Sequence, residues 1–396
     1  MIWQELEDKL LALDHEQLRR RRRIVDSPCG TRLTVDGPNH ANELLAFCSN
    51  DYLGLANDPQ IVAALREGAR CWGAGSGAAA AVSGHLRPHQ QLEEALAQFV
   101  APFFDSPRAL LFSTGFMANL GIVPALVGRS DAIFADRLNH ASLIDAALAS
   151  GAAHKRYAHN DVEALGKLLT QSSAKRKLIL TDAVFSMDGD IAPLDQLYAL
   201  AESHDAWLVI DDAHGFGVLG QQGRGSLSHF GLTVSPRVVY MGTLGKAAGV
   251  AGAFVAGDKT VIDWLQQRSR TAIFTTAHPP AISCAVLKSL ELIAAGDARR
   301  QNLHERIVQL RHELAPLAGQ RGWQLAASAT PIQPLIVGSN QSALDLSAAL
   351  ETQGIWVPAI RPPTVPQGSA RLRICLSAAH TAHDVAMLVA ALKNAQ

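Results

Sequence analysis

The stretch Trp207-Leu-Val-Ile-Asp211-Asp212-Ala-His214-Gly215 decides how the chain reads. Four apolar residues run straight into two carboxylates and an imidazole, as in a strand buried on both faces that delivers polar groups at its carboxyl end. The next apolar run, Val238-Val-Tyr-Met241, leads into Gly242-Thr243-Leu-Gly245-Lys246. Ligands of open α/β sheets bind at that carboxyl edge, so an acid, a histidine and a lysine are expected to converge there. Taken singly, Asp211 and Asp212 would cap the following turn and His214 would be a structural histidine. Their joint order on successive strand ends carries the functional reading.

Outward from this segment, apolar runs alternate with helical stretches from about Leu92 to Ala256: Ala109 to Phe112, Ala132 to Ala135, Leu178 to Thr181 and Ala253 to Val255. Runs that are apolar throughout predict a mainly parallel sheet with helices on both faces. After Pro279 and Pro280 a long helical tract is expected to about Leu317. A strand at Ile332 to Val337, a helix at Ala343 to Gln353 and strands at Ile355 to Ile360 and Ala370 to Leu376 then predict a smaller α+β domain. The expected organisation is an N-terminal helical arm with short strands over residues 1–50, a large α/β domain over 51–285 and the small domain over 286–396.

With 396 residues, 48% of them hydrophobic, the chain can bury a large core. Its net charge of -1 argues against a nucleic-acid or anionic-membrane surface, which needs excess Lys and Arg. Cys29, Cys48, Cys71, Cys284 and Cys375 form no CxxC pair, so neither a zinc cage nor a disulfide framework is expected. The charged N-terminus is unlike a secretory signal, and no apolar run approaches a membrane span, so a soluble cytoplasmic protein is expected.

A lysine amine for a Schiff base, a carboxylate to keep a pyridine nitrogen protonated and donors for a phosphate are the set that pyridoxal phosphate requires. Asp211-Asp212-Ala-His214-Gly215 and Thr243-Leu-Gly-Lys246 resemble the cofactor signatures of the α-oxoamine synthases, a branch of the pyridoxal-phosphate-dependent transferases of fold type I. The likeness spans essentially the whole chain. It implies that Lys246 carries the cofactor and moves protons, that Asp211 pairs with the pyridinium, that His214 bonds the ring oxygen and that Thr243 binds phosphate.

Further positions follow from the same resemblance. Ala109-Leu-Leu-Phe-Ser-Thr-Gly115-Phe116-Met-Ala-Asn119 reads as strand, tight turn and helix start, whose free N–H groups suit a phosphate; the family uses Gly115 and Phe116 in this way. His140, in Asn139-His-Ala141, is implied to stack on the cofactor ring, and Ser186, in Phe185-Ser-Met-Asp-Gly189, to contact the cofactor. Asn50 and Arg361 resemble residues that orient a substrate carboxylate, Thr364 contacts substrate, and Arg21 in the run Arg19 to Arg23 meets the acyl donor. The family acts as a homodimer, with Thr276 reaching the partner's phosphate.

Within the family, Gly296-Asp-Ala-Arg-Arg300 and Ala359-Ile-Arg-Pro-Pro-Thr-Val-Pro366 point to the members that join L-alanine to a pimeloyl thioester, carried by CoA or by a carrier protein, with loss of carbon dioxide. Members acting on glycine or serine with other acyl groups, and a non-catalytic cofactor-binding protein, are the competing readings. Two other signals are declined. Gly73-Ala-Gly75-Ser-Gly77 follows a helical stretch and lacks the third glycine of a dinucleotide fingerprint. Pro88 between His85 and His89 disfavours a helical metal pair, so no metal is assigned. The chain departs from its relatives where Ser76-Gly77 runs into Ala78 to Ala81, which puts residues carried over between Gly77 and Val82 in doubt.

Overall fold

The computed structural model describes residues 2–20, 22–36 and 42–395. Two compact units divide the chain: residues up to Asn50, Met187–Gly189 and Gln301 onward form one, Asp51–Ser186 and Asp190–Arg300 the other.

The larger unit holds a seven-stranded sheet: β1 (Pro107–Phe112), β2 (Ala132–Asp136), β3 (Ala153–Tyr157), β4 (Lys177–Asp182), β5 (Trp207–Asp211), β6 (Val238–Thr243) and β7 (Ala253–Asp258). Their spatial order is β1-β7-β6-β5-β4-β2-β3, and only β7 runs against its neighbours. The runs read from sequence are six of its seven strands, the edge strand β1 among them. Leu178, Leu180, Val209, Val239 and Val255 pack on Ile122 and Val123 of the helix Gly115–Leu126, so both the strand interiors and the helix face are withdrawn from water. The sequence reading passed over β3. Ala-His-Lys-Arg-Tyr has no apolar run because an edge strand pairs on one side only and keeps polar side chains in water.

The expected boundary at 285/286 falls inside the helix Pro280–Ala294, which packs against Pro59–Trp72 and Arg87–Phe99. Gly68 makes that approach feasible, since a Cβ there would lie 2.8 Å from the Cβ of Cys284. The helical tract expected from Pro280 to Leu317 is two helices, Pro280–Ala294 and Asp297–Arg321, broken at Gly296, where a Cβ would meet the Leu292 carbonyl at 2.8 Å.

In the other unit, Arg32–Val35, Asn42–Ala46 and Ile355–Trp356 form one small sheet. Gln324–Leu325, Ile332–Gly338, Ala370–Cys375 and Ala359–Ile360 form a four-stranded one. The strand expected over Ile355 to Ile360 is therefore split between two sheets, with Pro358, which lacks an N–H for a ladder, at the change. Met187–Gly189 belongs here too: Arg371 donates to the Met187 carbonyl and to Asp188, and the Ser328 and Thr330 hydroxyls donate to the Gly189 carbonyl. The N-terminal helix, Ile2–His15, buries none of its residues. Among the described residues no helix is long and apolar enough to cross a membrane.

Candidate active site

Every parallel strand of the large sheet ends towards the same edge, and the polar residues that follow those ends gather there. β5 ends at Asp211, which is 4% exposed. Its Oδ2 accepts from the Asn119 amide at 2.8 Å and its Oδ1 from the Ala213 N–H at 3.0 Å. No Lys, Arg or His among the described residues comes within ion-pair distance of it. A carboxylate so placed, with two neutral donors and a face on a cavity, suits a cation supplied by a ligand.

The neighbouring Asp212 has a different task. Wholly buried, it accepts from the Tyr240 hydroxyl at 2.6 Å and the Ser226 N–H at 2.7 Å. Gly215 and Gly225 close over it, and a Cβ on either would fall 2.1 and 2.2 Å from its oxygens. Burial pushes its carboxyl up to about 7, against the pull of those hydrogen bonds. Asp212 therefore anchors the turn, as the capping reading of the pair foresaw for one of the two.

Lys246 sits on the loop from β6 to β7. Leu244 N–H donates to the Gly252 carbonyl at 2.8 Å and Gly249 N–H to the Lys246 carbonyl at 2.8 Å, which shapes the loop. Gly249 has φ 69°, and a Cβ there would lie 2.5 Å from the backbone of Leu55 and Ala56, so only glycine fits. The Lys246 Nζ reaches His214 Nε2 at 2.9 Å, and His214 Nδ1 meets the buried Tyr52 hydroxyl at 2.7 Å.

His140 caps the helix Ala141–Ser150: Ser142 N–H donates to its Nδ1, which leaves Nε2 as the protonated nitrogen of the neutral ring. Its own N–H donates to Asp182 Oδ2 at 2.7 Å. Asp182, at the end of β4, is held well above the usual carboxylate range by burial and then by the charge of Asp211. The Asn119 amide also donates to the Ser142 hydroxyl at 2.9 Å, which ties Asp211 to the His140 turn. At the end of β1, Thr114 caps Gly115–Leu126 by accepting from Met117 N–H, so the N–H groups at Gly115 and Phe116 open the helix.

Of the residues expected at the site, Gly115, Phe116, His140, Asp211, His214, Thr243 and Lys246 line one cavity of about 180 Å³. Ser142, Asp182, Ala213 and Met241 complete its wall. Ser186 and Thr276 are outside that lining. Thr276 instead bridges to Ala79, beside the π-helical turn Ala80–Gly84 that the alanine-rich departure adopts. Asn50, Arg361 and Thr364 belong to the smaller unit, where Asn50 Oδ1 accepts from both terminal nitrogens of Arg373, at 3.2 and 3.3 Å, and Arg361 opens the turn leading to Thr364. The buried Arg373, not Arg361, is thus the guanidinium bonded to Asn50. Arg21 lies outside the described residues.

The sequence reading missed Tyr52, Asn119, Ser142 and Asp182. Asp182 carried the same signal as Asp211, an acid closing an apolar run, and Asn119 stands one helical turn beyond Gly115. Tyr52 lies in the strand exit Ser49 to Gly54, itself a site candidate, but nothing local pairs it with His214, 162 residues away.

The profile of aminotransferase class I and II matches residues 42–392. An 8-amino-7-oxononanoate synthase of Dechloromonas aromatica (strain RCB) is 60% identical over 397 residues, covering all of both chains. Among solved structures, an SPT with PLP bound superposes with a TM-score of 0.90 at 27% identity, over 99% of this chain and 96% of that one. An 8-amino-7-oxononanoate synthase from Francisella tularensis gives a TM-score of 0.75 at 31% identity, over 89% and 97%. The chain belongs to the aminotransferase class I and II family, within its pyridoxal-phosphate-dependent 8-amino-7-oxononanoate synthases.

Proposed function

We propose that the protein joins L-alanine to a pimeloyl thioester, with release of carbon dioxide and the free thiol, to give 8-amino-7-oxononanoate. The observation that carries this reading is the meeting of Lys246, His214 and Asp211 in one cavity at the carboxyl edge of the sheet, in a chain 60% identical to a synthase of that name. The residues present fit the cofactor: a buried carboxylate with no cation at ion-pair distance among the described residues, a lysine amine on the same cavity and a helix N-terminus that lines it. Bound pyridoxal phosphate supplies an aldehyde that captures the amino acid and a protonated ring that accepts the electron pair left on its α-carbon.

The chain's own groups divide the work. Lys246 Nζ would hold the cofactor, and as general base and acid it would take a proton from the α-carbon of alanine and return one at the end. Asp211 keeps the ring nitrogen protonated. His214, its Nδ1 held by Tyr52, would donate to the cofactor's ring oxygen, and His140 would pack on the ring. Gly115, Phe116 and Thr243 receive the phosphate, and Ser186 adds a cofactor contact. The alanine α-carbon bonds to the thioester carbonyl carbon, the thiolate leaves, and the alanine carboxylate departs as carbon dioxide. The task left to the chain's own residues would be positional, holding alanine and the acyl donor in place beside the cofactor.

Asn50 and Arg373 form a second polar pair suited to a carboxylate, with Arg361 and Thr364 as further substrate contacts and Arg21 as a contact of the acyl donor. A homodimer is part of the proposal, with Thr276 serving the site of the partner. The test is a product assay with alanine and glycine against pimeloyl-CoA, acetyl-CoA and succinyl-CoA, repeated with pimeloyl-carrier protein. Alanine with a pimeloyl donor is expected to give 8-amino-7-oxononanoate and carbon dioxide; use of glycine alone overturns the assignment.

A further inference from the structure

The loop after the edge strand β3 carries a titratable group that the reaction does not use. His159 Nδ1 is 3.0 Å from Asp136 Oδ1, on the last residue of β2, and its Nε2 is 2.7 Å from Asp190 Oδ2, on the loop that follows β4. Asn160, at φ 55°, repeats the bridge: its N–H donates to Asp136 Oδ2 and its amide to Asp190 Oδ2, each at 2.8 Å. One dipeptide from the sheet edge thus spans the ends of two inner strands.

Both spanned segments connect to the cavity wall, the first leading to His140 and the second starting from Asp182. Asp136 accepts from Leu138 N–H at 2.8 Å and so closes the turn that presents His140. Asp190 closes the other loop, where Phe185 N–H donates to its carbonyl at 3.0 Å and Val184 bridges to Ile191, with Ser186 between. Asp136 is 1% exposed, and the Oδ1 of Asp190 is buried without a hydrogen-bond partner. Asp136 is withdrawn from water and Asp190 is partly exposed, and two carboxylates held this close repel unless a cation lies between them. Burial alone would drive the proton from His159, yet its bonds to Asp136 and Asp190 prevail and raise its pKa to about 10. The other groups facing it are the edge-on ring of Phe185 and, beside Asp136, the buried Tyr157 phenol.

We propose that His159 is a positioning residue of the active site, whose imidazole, clamped between Asp136 and Asp190, sets the separation of the loops that present His140 and Ser186 to the cofactor. The inference rests on the preceding section only for the roles of those two residues. The pair His140 and Asp182 shows why separation matters: the bond between them joins the same two loops inside the cavity.

The test compares holoenzymes of wild type, His159→Gln, Asp190→Ala and the double variant His159→Gln/Asp190→Asn. Readouts are the visible circular dichroism of the bound cofactor, hydrogen exchange of peptides covering 136–142 and 183–191, and kcat and KM. His159→Gln is expected to alter the dichroic band, speed exchange in both peptides and lower kcat roughly ten- to a hundredfold with little change in KM, the size of effect that a small misplacement produces. Adding Asp190→Asn removes one repelling charge and is expected to restore kcat several-fold over His159→Gln. Should His159→Gln not fold, Asp190→Ala must show the same spectral and exchange changes. An unchanged band with unchanged exchange in either single variant, or a double variant no better than His159→Gln, overturns the proposal. The spectral and exchange readouts need no substrate, so a wild type inactive towards alanine and pimeloyl-CoA would sink the assignment of the reaction and leave this one standing.

Discussion

Lys246 Nζ stands 2.9 Å from His214 Nε2, and the far nitrogen of that ring is 2.7 Å from the Tyr52 hydroxyl, so the reactive amine ends a three-member hydrogen-bonded chain rooted in the core. On the roles proposed for Lys246, replacing the amine removes the covalent anchor and the proton carrier together. Lys246→Ala is expected to lose activity by roughly a thousandfold or more while its melting temperature stays close to that of the wild-type apoprotein. Borohydride reduction of the wild-type holoenzyme followed by peptide mass spectrometry checks the same point: the added mass must fall on Lys246.

Asp211 and Asp212 are adjacent in sequence and separable in effect. Asp211→Asn keeps an oxygen for one donor but removes the charge proposed to face the cofactor ring, which on that role would lower the pKa of the ring nitrogen by about 1–3 units. The expected outcome is a fall in kcat of roughly a hundredfold with little loss of stability, read from steady-state kinetics beside thermal melts.

At Asp212 the order reverses. Asp212→Ala leaves the Tyr240 hydroxyl and the Ser226 N–H without their acceptor in the core, which costs roughly 2–5 kcal/mol, visible in denaturant melts. Its pKa is raised from 3.8 unfolded to about 7 folded, so its contribution to stability is fully present below pH 3.8 and is lost as pH rises through 7. Asp212→Asn, which keeps a neutral side chain throughout, is expected to flatten that part of the stability profile between pH 4 and 7.

His278 supplies a second pH signature. Burial, then the charges of His89 and His85, lower its pKa from 6.5 to about 4. The native state therefore resists its protonation, and the corresponding stability is present above pH 6.5 and lost as pH falls towards 4. His278→Gln is expected to be less sensitive to acid over that range in thermal melts.

Gly249 allows the Lys246 loop to lie against Leu55 and Ala56. Gly249→Ala strains a left-handed backbone and forces a 2.5 Å contact apart, a cost of roughly 1–3 kcal/mol that displaces Lys246. A lowered melting temperature together with a kcat reduced about tenfold or more is the expected result.

How far the site could be read from sequence followed from how local each signal was. Asp211, His214, Thr243 and Lys246 each stand at or within a few residues of the end of an apolar run, and the rule that parallel strands present their carboxyl ends together was enough to bring them to one edge. β3 escaped notice because its half-exposed side chains follow no apolar pattern, and with it went His159. Arg361 stood in a recognisable turn, whereas Arg373, the partner of Asn50, looks like an ordinary charged residue in a strand and gains meaning only from its burial.

By itself the sequence determined the strand runs of the large sheet, the polar residues at their ends and hence the chemical class, because backbone pairing and the burial of apolar faces act over a few residues at a time. Only the tertiary structure decided which groups touch. Tyr52 meets His214 across 162 residues, Asn119 meets Asp211 across 92, and Asp212 becomes an anchor while Asp211 faces the cavity. Those outcomes depend on strand order and on which side of a turn each side chain leaves, and packing of the whole sheet sets both.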